Sequence, residues 1–266
     1  MRSDSHSMLA CNNICIRVPG RLLVEGLTLN ACRGEVIAVL GQNGAGKTLT
    51  LMTLAGLRDP DSGGVSLLGH NISATRRRII ARHLALLPQL TEDIFPATVL
   101  DTALIGRHPH IGRLNWESAQ DFAIAKDALK TMGLGAMASR DILTLSGGER
   151  RRLAVAQVLT QAPDVYLLDE PTNHLDPEHQ LDALRVFRRA ADDGATVIAS
   201  LHDVNLAVRY ADRCLLLYGD GRWELGDCGD ILNEARLSEL YATPMESVAW
   251  HARKLFIPAD EQAGAG

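Results

Sequence analysis

The feature that most constrains this chain is a short apolar run that ends in a glycine-rich segment. Glu35 to Leu40 reads EVIAVL, nearly all apolar and rich in β-branched residues, with Gly34 before it and Gly41 after it. Such a run reads as a strand buried on both faces of a parallel sheet. Gly41-Gln42-Asn43-Gly44-Ala45-Gly46-Lys47-Thr48 follows and fits G-x-x-x-x-G-K-[ST]. Thr48 to Leu57 then reads as a helix. Strand, glycine loop and helix in that order make an anion cradle, because backbone amides and the helix N-terminus converge on a phosphate that side chains would exclude. Lys47 is expected to bridge the β- and γ-phosphates of a nucleotide, and the Thr48 hydroxyl to ligand Mg²⁺.

Further apolar runs repeat the pattern. Val165 to Leu168, Ala195 to Ser200 and Cys214 to Tyr218 read as strands, with helical stretches such as Gln180 to Asp192 between them. Strands alternating with helices specify an α/β core with a mostly parallel sheet. Upstream, Ile14 to Leu29 mixes short β-type runs around a Pro19-Gly20 turn. Between Thr91 and Thr160 strand-like runs vanish and helix formers dominate, as in Trp116 to Met132 and Glu149 to Gln161. That predicts a helical subdomain inserted between two sheet strands. Tyr218-Gly219-Asp220-Gly221 carries a strand-turn signal, helical stretches continue to about Tyr241, and Ala259 to Gly266 reads as a disordered end.

Composition narrows the class. The 266 residues are 46% apolar and 22% charged, near the globular average, with a net charge of −5. The acidic balance disfavours a generic nucleic-acid or anionic-lipid binder. The longest apolar runs, Val36 to Leu40 and Cys214 to Tyr218, are far shorter than the roughly 18 residues a membrane-crossing helix needs. The polar N-terminus is not expected to be a signal peptide. Five cysteines, an odd number, point to reduced thiols in a cytosolic protein. Cys11 and Cys15 have no second pair at zinc spacing and read as buried structure.

Two further groups carry chemistry. Asp169-Glu170 closes the run Val165 to Leu168, so both carboxylates sit at the end of a parallel strand beside the phosphate loop. Asp169 is expected to hold Mg²⁺ through water, and Glu170 to polarise the water that attacks the γ-phosphate. Leu145-Ser146-Gly147-Gly148-Glu149 opens a long helix with small residues, which makes an exposed N-terminus that can bind phosphate. Ser146 followed by Glu149 is also an ordinary capping box.

The order of phosphate loop, Gln89, LSGGE, VYLLDE and His202 resembles the ATP-binding cassette (ABC) ATPase family over roughly residues 10 to 240. The resemblance implies a P-loop NTPase α/β core with a mostly parallel sheet, an N-terminal antiparallel β part and an inserted α-helical subdomain. It implies one ATPase domain over 1–266: a core from 10–90 and 160–240, a helical subdomain over 91–159, and a C-terminal extension over 241–266. Gln89 resembles the lid glutamine that contacts Mg²⁺ or the attacking water. Ser146, Gly147 and Gly148 resemble the signature loop, which binds the γ-phosphate of ATP held by the other subunit. Asp176 resembles the dimer-contact aspartate, and His202 the switch histidine that hydrogen-bonds the γ-phosphate. Gly41, Asn43, Gly44, Ala45, Gly46, Lys47 and Thr48 are the expected ATP contacts, with Thr48, Gln89 and Asp169 around Mg²⁺. Two departures stand out. Val18 occupies the place of the aromatic residue that stacks on adenine, and Leu49 follows Thr48 where a second hydroxyl is common.

A signature loop on an inserted helical region does not easily fold back onto its own phosphate loop. With one phosphate loop per chain, the composite site requires a second copy in a head-to-tail, two-fold dimer closed by ATP. Phe95 to Val99 and Gly106-Arg107-His108-Pro109-His110 lie where this family docks membrane permease subunits. They resemble the importers of iron-siderophores, haem and vitamin B12, as does Leu175 to Gln180. A peripheral place on the cytoplasmic face of the inner membrane follows, with a periplasmic or extracellular substrate-binding protein as an indirect partner and no nucleic acid. Arg76 to Arg78 and Arg150 to Arg152 read as solvated helix faces. The competing readings are an exporter ATPase, a non-transport ATPase acting on nucleic acid or ribosomes, and a small-molecule phosphotransferase. The last has no use for LSGGE or His202.

Overall fold

The computed structural model describes residues 7–89, 96–112, 115–250 and 253–259. Phe95, the first residues of the expected insertion (91–95) and nearly all of the expected disordered end (260–266) lie outside them.

Along the chain, β1 (Ser7–Val18), β2 (Arg21–Cys32) and β3 (Val36–Leu40) lead into α1 (Lys47–Leu54). Then come β4 (Ser62–Leu67), β5 (His70–Asn71), α2 (Arg77–His83) and β6 (Leu84–Leu87). Three helices follow, α3 (Val99–Leu104), α4 (Ala119–Thr131) and α5 (Gly147–Gln161). The chain returns through β7 (Val165–Asp169), α6 (Pro177–Asp192), β8 (Thr196–Ser200), α7 (Val204–Tyr210), β9 (Arg213–Leu217) and β10 (Trp223–Asp227). It closes with α8 (Cys228–Ile231), α9 (Glu234–Tyr241), β11 (Met245–Trp250) and β12 (Arg253–Pro258).

The central sheet has the order β10-β9-β3-β8-β7-β6, with β10 antiparallel and every other neighbouring pair parallel. A second sheet, β2-β1-β4-β5, is antiparallel throughout. The expected fold class holds on both counts. Strand β3 explains its own composition. Ile37 and Val39 pack into a cluster shared with the N-terminal sheet, whereas Val36, Ala38 and Leu40 face a second cluster built with the helices. Both faces of the strand are buried, so no polar residue is tolerated.

The ends of the parallel strands position the site. Val39 pairs with Ser200, Ser200 with Asp169, and Leu168 with Leu87. The phosphate loop, Gln89, Asp169-Glu170 and His202 therefore all leave the sheet at one carboxyl edge, where α/β folds bind ligands.

Several boundaries differ from expectation. β1 begins at Ser7, ahead of the expected Ile14: a bulge with Asn13 at φ 49° shifts the buried set from Leu9 and Cys11 to Ile14 and Ile16, which breaks the two-residue period. β6 has no counterpart among the expected strands: its four residues, LALL, carry no β-branched side chain to mark one. α4 starts at Ala119, where Ser118 and Asp121 form a capping box, not at Trp116. α6 starts at Pro177 behind the Asp176 cap, not at Gln180. The C-terminal extension holds a hairpin, β11 and β12. Phe256 is buried there, and Asn205 clamps its backbone, accepting from the amide at 2.8 Å and donating to the carbonyl at 3.0 Å.

Candidate nucleotide site

A cavity of about 480 Å³ opens at the carboxyl edge of β3. Asn43, Gly44, Gly46, Lys47 and Thr48 of the phosphate loop line it. Gly41 has to be glycine, because a Cβ there would sit 2.4 Å from the Leu217 carbonyl. Gly46 caps α1 in the left-handed region, at φ 103°, with no side-chain cap and no acid in the first turn. The amides at the start of α1 are thus left as donors for an anion. Lys47 is buried, and its Nζ donates to the carbonyls of Gly41 at 2.8 Å and Gln42 at 3.2 Å. Burial pushes its pKa down, opposed by the charges of Glu170 and Asp169.

Glu170 and Gln89 also line the cavity. The Glu170 carboxylate accepts from His202 Nε2 at 2.5 Å on one oxygen, and from Gln89 Nε2 at 2.7 Å and Asn173 Nδ2 on the other. A carboxylate only accepts, so His202 presents a protonated Nε2. Asp169 is 2% exposed and accepts from the Ser200 hydroxyl at 2.7 Å, while the Ser200 oxygen accepts the Glu170 amide at 2.9 Å. Ser200 and Asn173 were not singled out from sequence. A serine ending the apolar run ATVIAS was the available signal for the first; for the second, only a polar residue three positions past Glu170.

The donor set suits Mg²⁺, a hard cation that prefers oxygen. Thr48 offers a hydroxyl and Asp169 a carboxylate. Gln89 spends its amide nitrogen on Glu170, which leaves its carbonyl oxygen available.

The remaining expected site residues, Gly41, Ala45, Asp169, His202, Ser146, Gly147, Gly148 and Asp176, are not among the residues lining the cavity in the single chain, although His202 reaches it through Glu170 and Asp169 directly precedes that residue. Ser146 caps α5 in a complete box: its oxygen accepts the Glu149 amide at 3.3 Å, and Glu149 accepts the Ser146 amide at 2.7 Å. The Ser146 amide, and after it the Ser146 hydroxyl, hold the Glu149 carboxyl below the usual range. Asp176 caps α6, accepting the His179 amide at 3.0 Å. Both departures from the family pattern face the cavity. Val18 lines it beside Arg21, whose Nε donates to the Gly219 carbonyl at 2.9 Å, and Leu49 lines it next to Thr48.

Comparison with known proteins agrees with this arrangement. Residues 24–173 match the family model described as ABC transporter. The hemin import ATP-binding protein HmuV of Gloeobacter violaceus is 43% identical over 79% of this chain and 78% of its own length. The achromobactin transport ATP-binding protein CbrD of Dickeya dadantii is 36% identical over 82% of each chain. Among solved structures, an inward-facing transporter described as a metal-chelate type ABC transporter superposes with a TM-score of 0.83, at 27% identity, over 96% of this chain and 98% of that one. The chain belongs to the ABC transporter family and is an ATPase of that class.

Proposed function

We propose that this chain is the ATP-hydrolysing subunit of an ABC importer, powering uptake of a metal-chelate-type substrate (an iron-siderophore, haem or a cobalamin) through a separate membrane permease. The observation that carries the ATPase chemistry is one cavity lined together by the phosphate loop, Gln89 and Glu170. The import direction and substrate class rest on the likeness to hemin, achromobactin and cobalamin transport ATP-binding proteins. Among the described residues no helix is long and apolar enough to cross a membrane, which agrees with a separate permease. The working site is peripheral, on the cytoplasmic face of the inner membrane, and a substrate-binding protein outside delivers the cargo.

In this reading Gly41 to Thr48 hold the phosphates of ATP, with Lys47 compensating their charge. Thr48, Asp169 and Gln89 would hold Mg²⁺, which would supply charge neutralisation there. Glu170 accepts the proton of the attacking water, a role worth roughly 10²–10⁴-fold. His202 and Gln89 keep the Glu170 carboxylate oriented, and His202 turns to the γ-phosphate when ATP is bound. Ser146, Gly147 and Gly148 of a second copy close the site from above, and that copy's Asp176 lies at the seam. The domain division goes with these roles: a core from 10–90 and 160–240, an inserted helical subdomain over 91–159 that carries the signature turn and the permease-facing Gly106 to His110, and an extension over 241–266.

Phosphate release from Mg-ATP by the purified chain, together with affinity capture of the chain from its native membranes, tests the proposal. Free phosphate and a many-spanning membrane protein are the expected results. A phosphorylated small molecule, or capture of nucleic acid in place of the membrane protein, would contradict it.

A further inference from the structure

Arg151 lies in the second turn of α5 and is 5% exposed, not on the solvated helix face expected for Arg150 to Arg152. Its four hydrogen bonds run to backbone carbonyls. One terminal nitrogen donates to Asp169 O and Glu170 O, each at 2.7 Å. The other donates to Pro88 O at 2.7 Å and Gln89 O at 3.3 Å. A single guanidinium thus ties three elements together: the helix capped by Ser146, the end of β7, and the segment after β6.

The geometry at β7 is unusual. In an extended strand successive residues alternate in direction, so neighbouring carbonyls diverge. Here two of them converge on one nitrogen, because Glu170 sits in the left-handed region at φ 50°. That conformation is disfavoured for a residue with a side chain and persists only where its surroundings hold it. The two Arg151 bonds grip it from one side, and the Ser200 hydroxyl, which accepts the Glu170 amide, from the other. Burial pushes the Arg151 guanidinium down to about 10, against the opposing charges of Asp169 and Glu170, so it stays a cation at neutral pH.

We infer that Arg151 is a positioning residue for ATP hydrolysis, holding the backbone of Glu170 and Gln89 in register with the helix that carries the Ser146 turn. Movement of that turn against a second copy then reaches the groups around the attacking water through one side chain. The inference rests on the proposed ATPase site. Arg151 does not line the cavity, and these hydrogen bonds go to no residue of the phosphate loop. Its loss therefore acts on turnover and leaves nucleotide affinity alone.

The test compares Arg151→Met, Arg151→Lys and Arg151→Gln in the full chain, by steady-state hydrolysis of Mg-ATP and by binding of a fluorescent ATP analogue. Arg151→Met is expected to lower kcat at least tenfold while the analogue's Kd changes less than threefold. Arg151→Lys, which keeps the charge and three donors, is expected to recover part of the loss. Should Arg151→Met fail to fold, Arg151→Gln is read by the same criterion. A kcat within twofold of wild type overturns the inference. So does a parallel loss of kcat and affinity, which a purely structural role would give. Glu170→Gln run alongside keeps the two readings apart: if it turns over like wild type, the ATPase assignment fails, whatever Arg151 does.

Discussion

Two helices in this molecule begin where a phosphate is expected, and they begin differently. α1 starts behind Gly46 with no side-chain cap and no acid in its first turn. α5 starts behind Ser146 with a complete capping box and Glu149 in its first turn. The first leaves its amide donors for a ligand within the same chain, with the buried Lys47 beside them. The second satisfies the Ser146 and Glu149 amides itself. What it presents outward is the amides of Gly147 and Gly148, the orphan donors of its first turn, while the Ser146 hydroxyl is engaged by the Glu149 carboxyl. A Cβ on Gly147 would meet nothing within 4 Å. Nothing among the described residues requires glycine there, although glycine within a helix costs roughly 0.5–1 kcal/mol relative to alanine. The proposed second copy, with its nucleotide approaching this turn closely, would account for that cost. One terminus is completed by a ligand; the other holds itself together and offers a bare tip.

The largest effects should fall on the α1 side. Lys47→Ala and Glu170→Gln are each expected to reduce phosphate release more than about 100-fold, and Glu170→Gln should still bind ATP, as read by equilibrium binding. The α5 side should separate activity from stability. Ser146→Asp keeps an equally good cap but replaces the hydroxyl proton with a negative charge. It should lose hydrolysis at least tenfold while urea unfolding shifts by less than about 0.5 kcal/mol. Gly147→Ala should be more stable by roughly 0.5–1 kcal/mol and yet hydrolyse more slowly. A stabilised variant with unchanged turnover would remove the reason given for the glycine.

The smallest effect concerns a capping box with no ligand role. Asp121 of α4 is held down to about 2 by the Ser118 hydroxyl, then by Arg107, whose Nε donates to it at 2.8 Å. Its folded value is depressed, so the stabilisation is present above its ordinary value of 3.8 and is lost as pH falls through about 2. Asp121→Asn should be about 1 kcal/mol less stable than wild type at pH 7 and draw level with it only well below pH 2, with unchanged turnover per folded molecule. If it also slowed hydrolysis, the contrast between a purely structural cap and the α5 cap would weaken.

Much of this was legible in the sequence because the chemistry is local. The phosphate loop is contiguous, β3 betrays two-sided burial by its own composition, and Asp169-Glu170 ends an apolar run. What escaped depends on tertiary partners. β6 is marked as a strand by its pairing with β7, since LALL has no β-branched residue to signal one. The bulge at Asn13 hides the alternation of β1. Ser200 matters because the parallel register sets it opposite Asp169, and Arg151 because the left-handed backbone of Glu170 brings two carbonyls to it. An arginine after LSGGE has no such meaning in one dimension. The hairpin of β11 and β12 is held by Asn205, far away in sequence.

The central claim is that two chains share each ATP, with the uncapped turn of one facing the capped turn of the other. Light scattering on the Glu170→Gln protein in Mg-ATP tests it most directly. The account predicts a particle of twice the 28.8 kDa chain mass, returning to the single-chain mass when Ser146→Asp is added. A Glu170→Gln protein that binds ATP yet stays at the single-chain mass would contradict it.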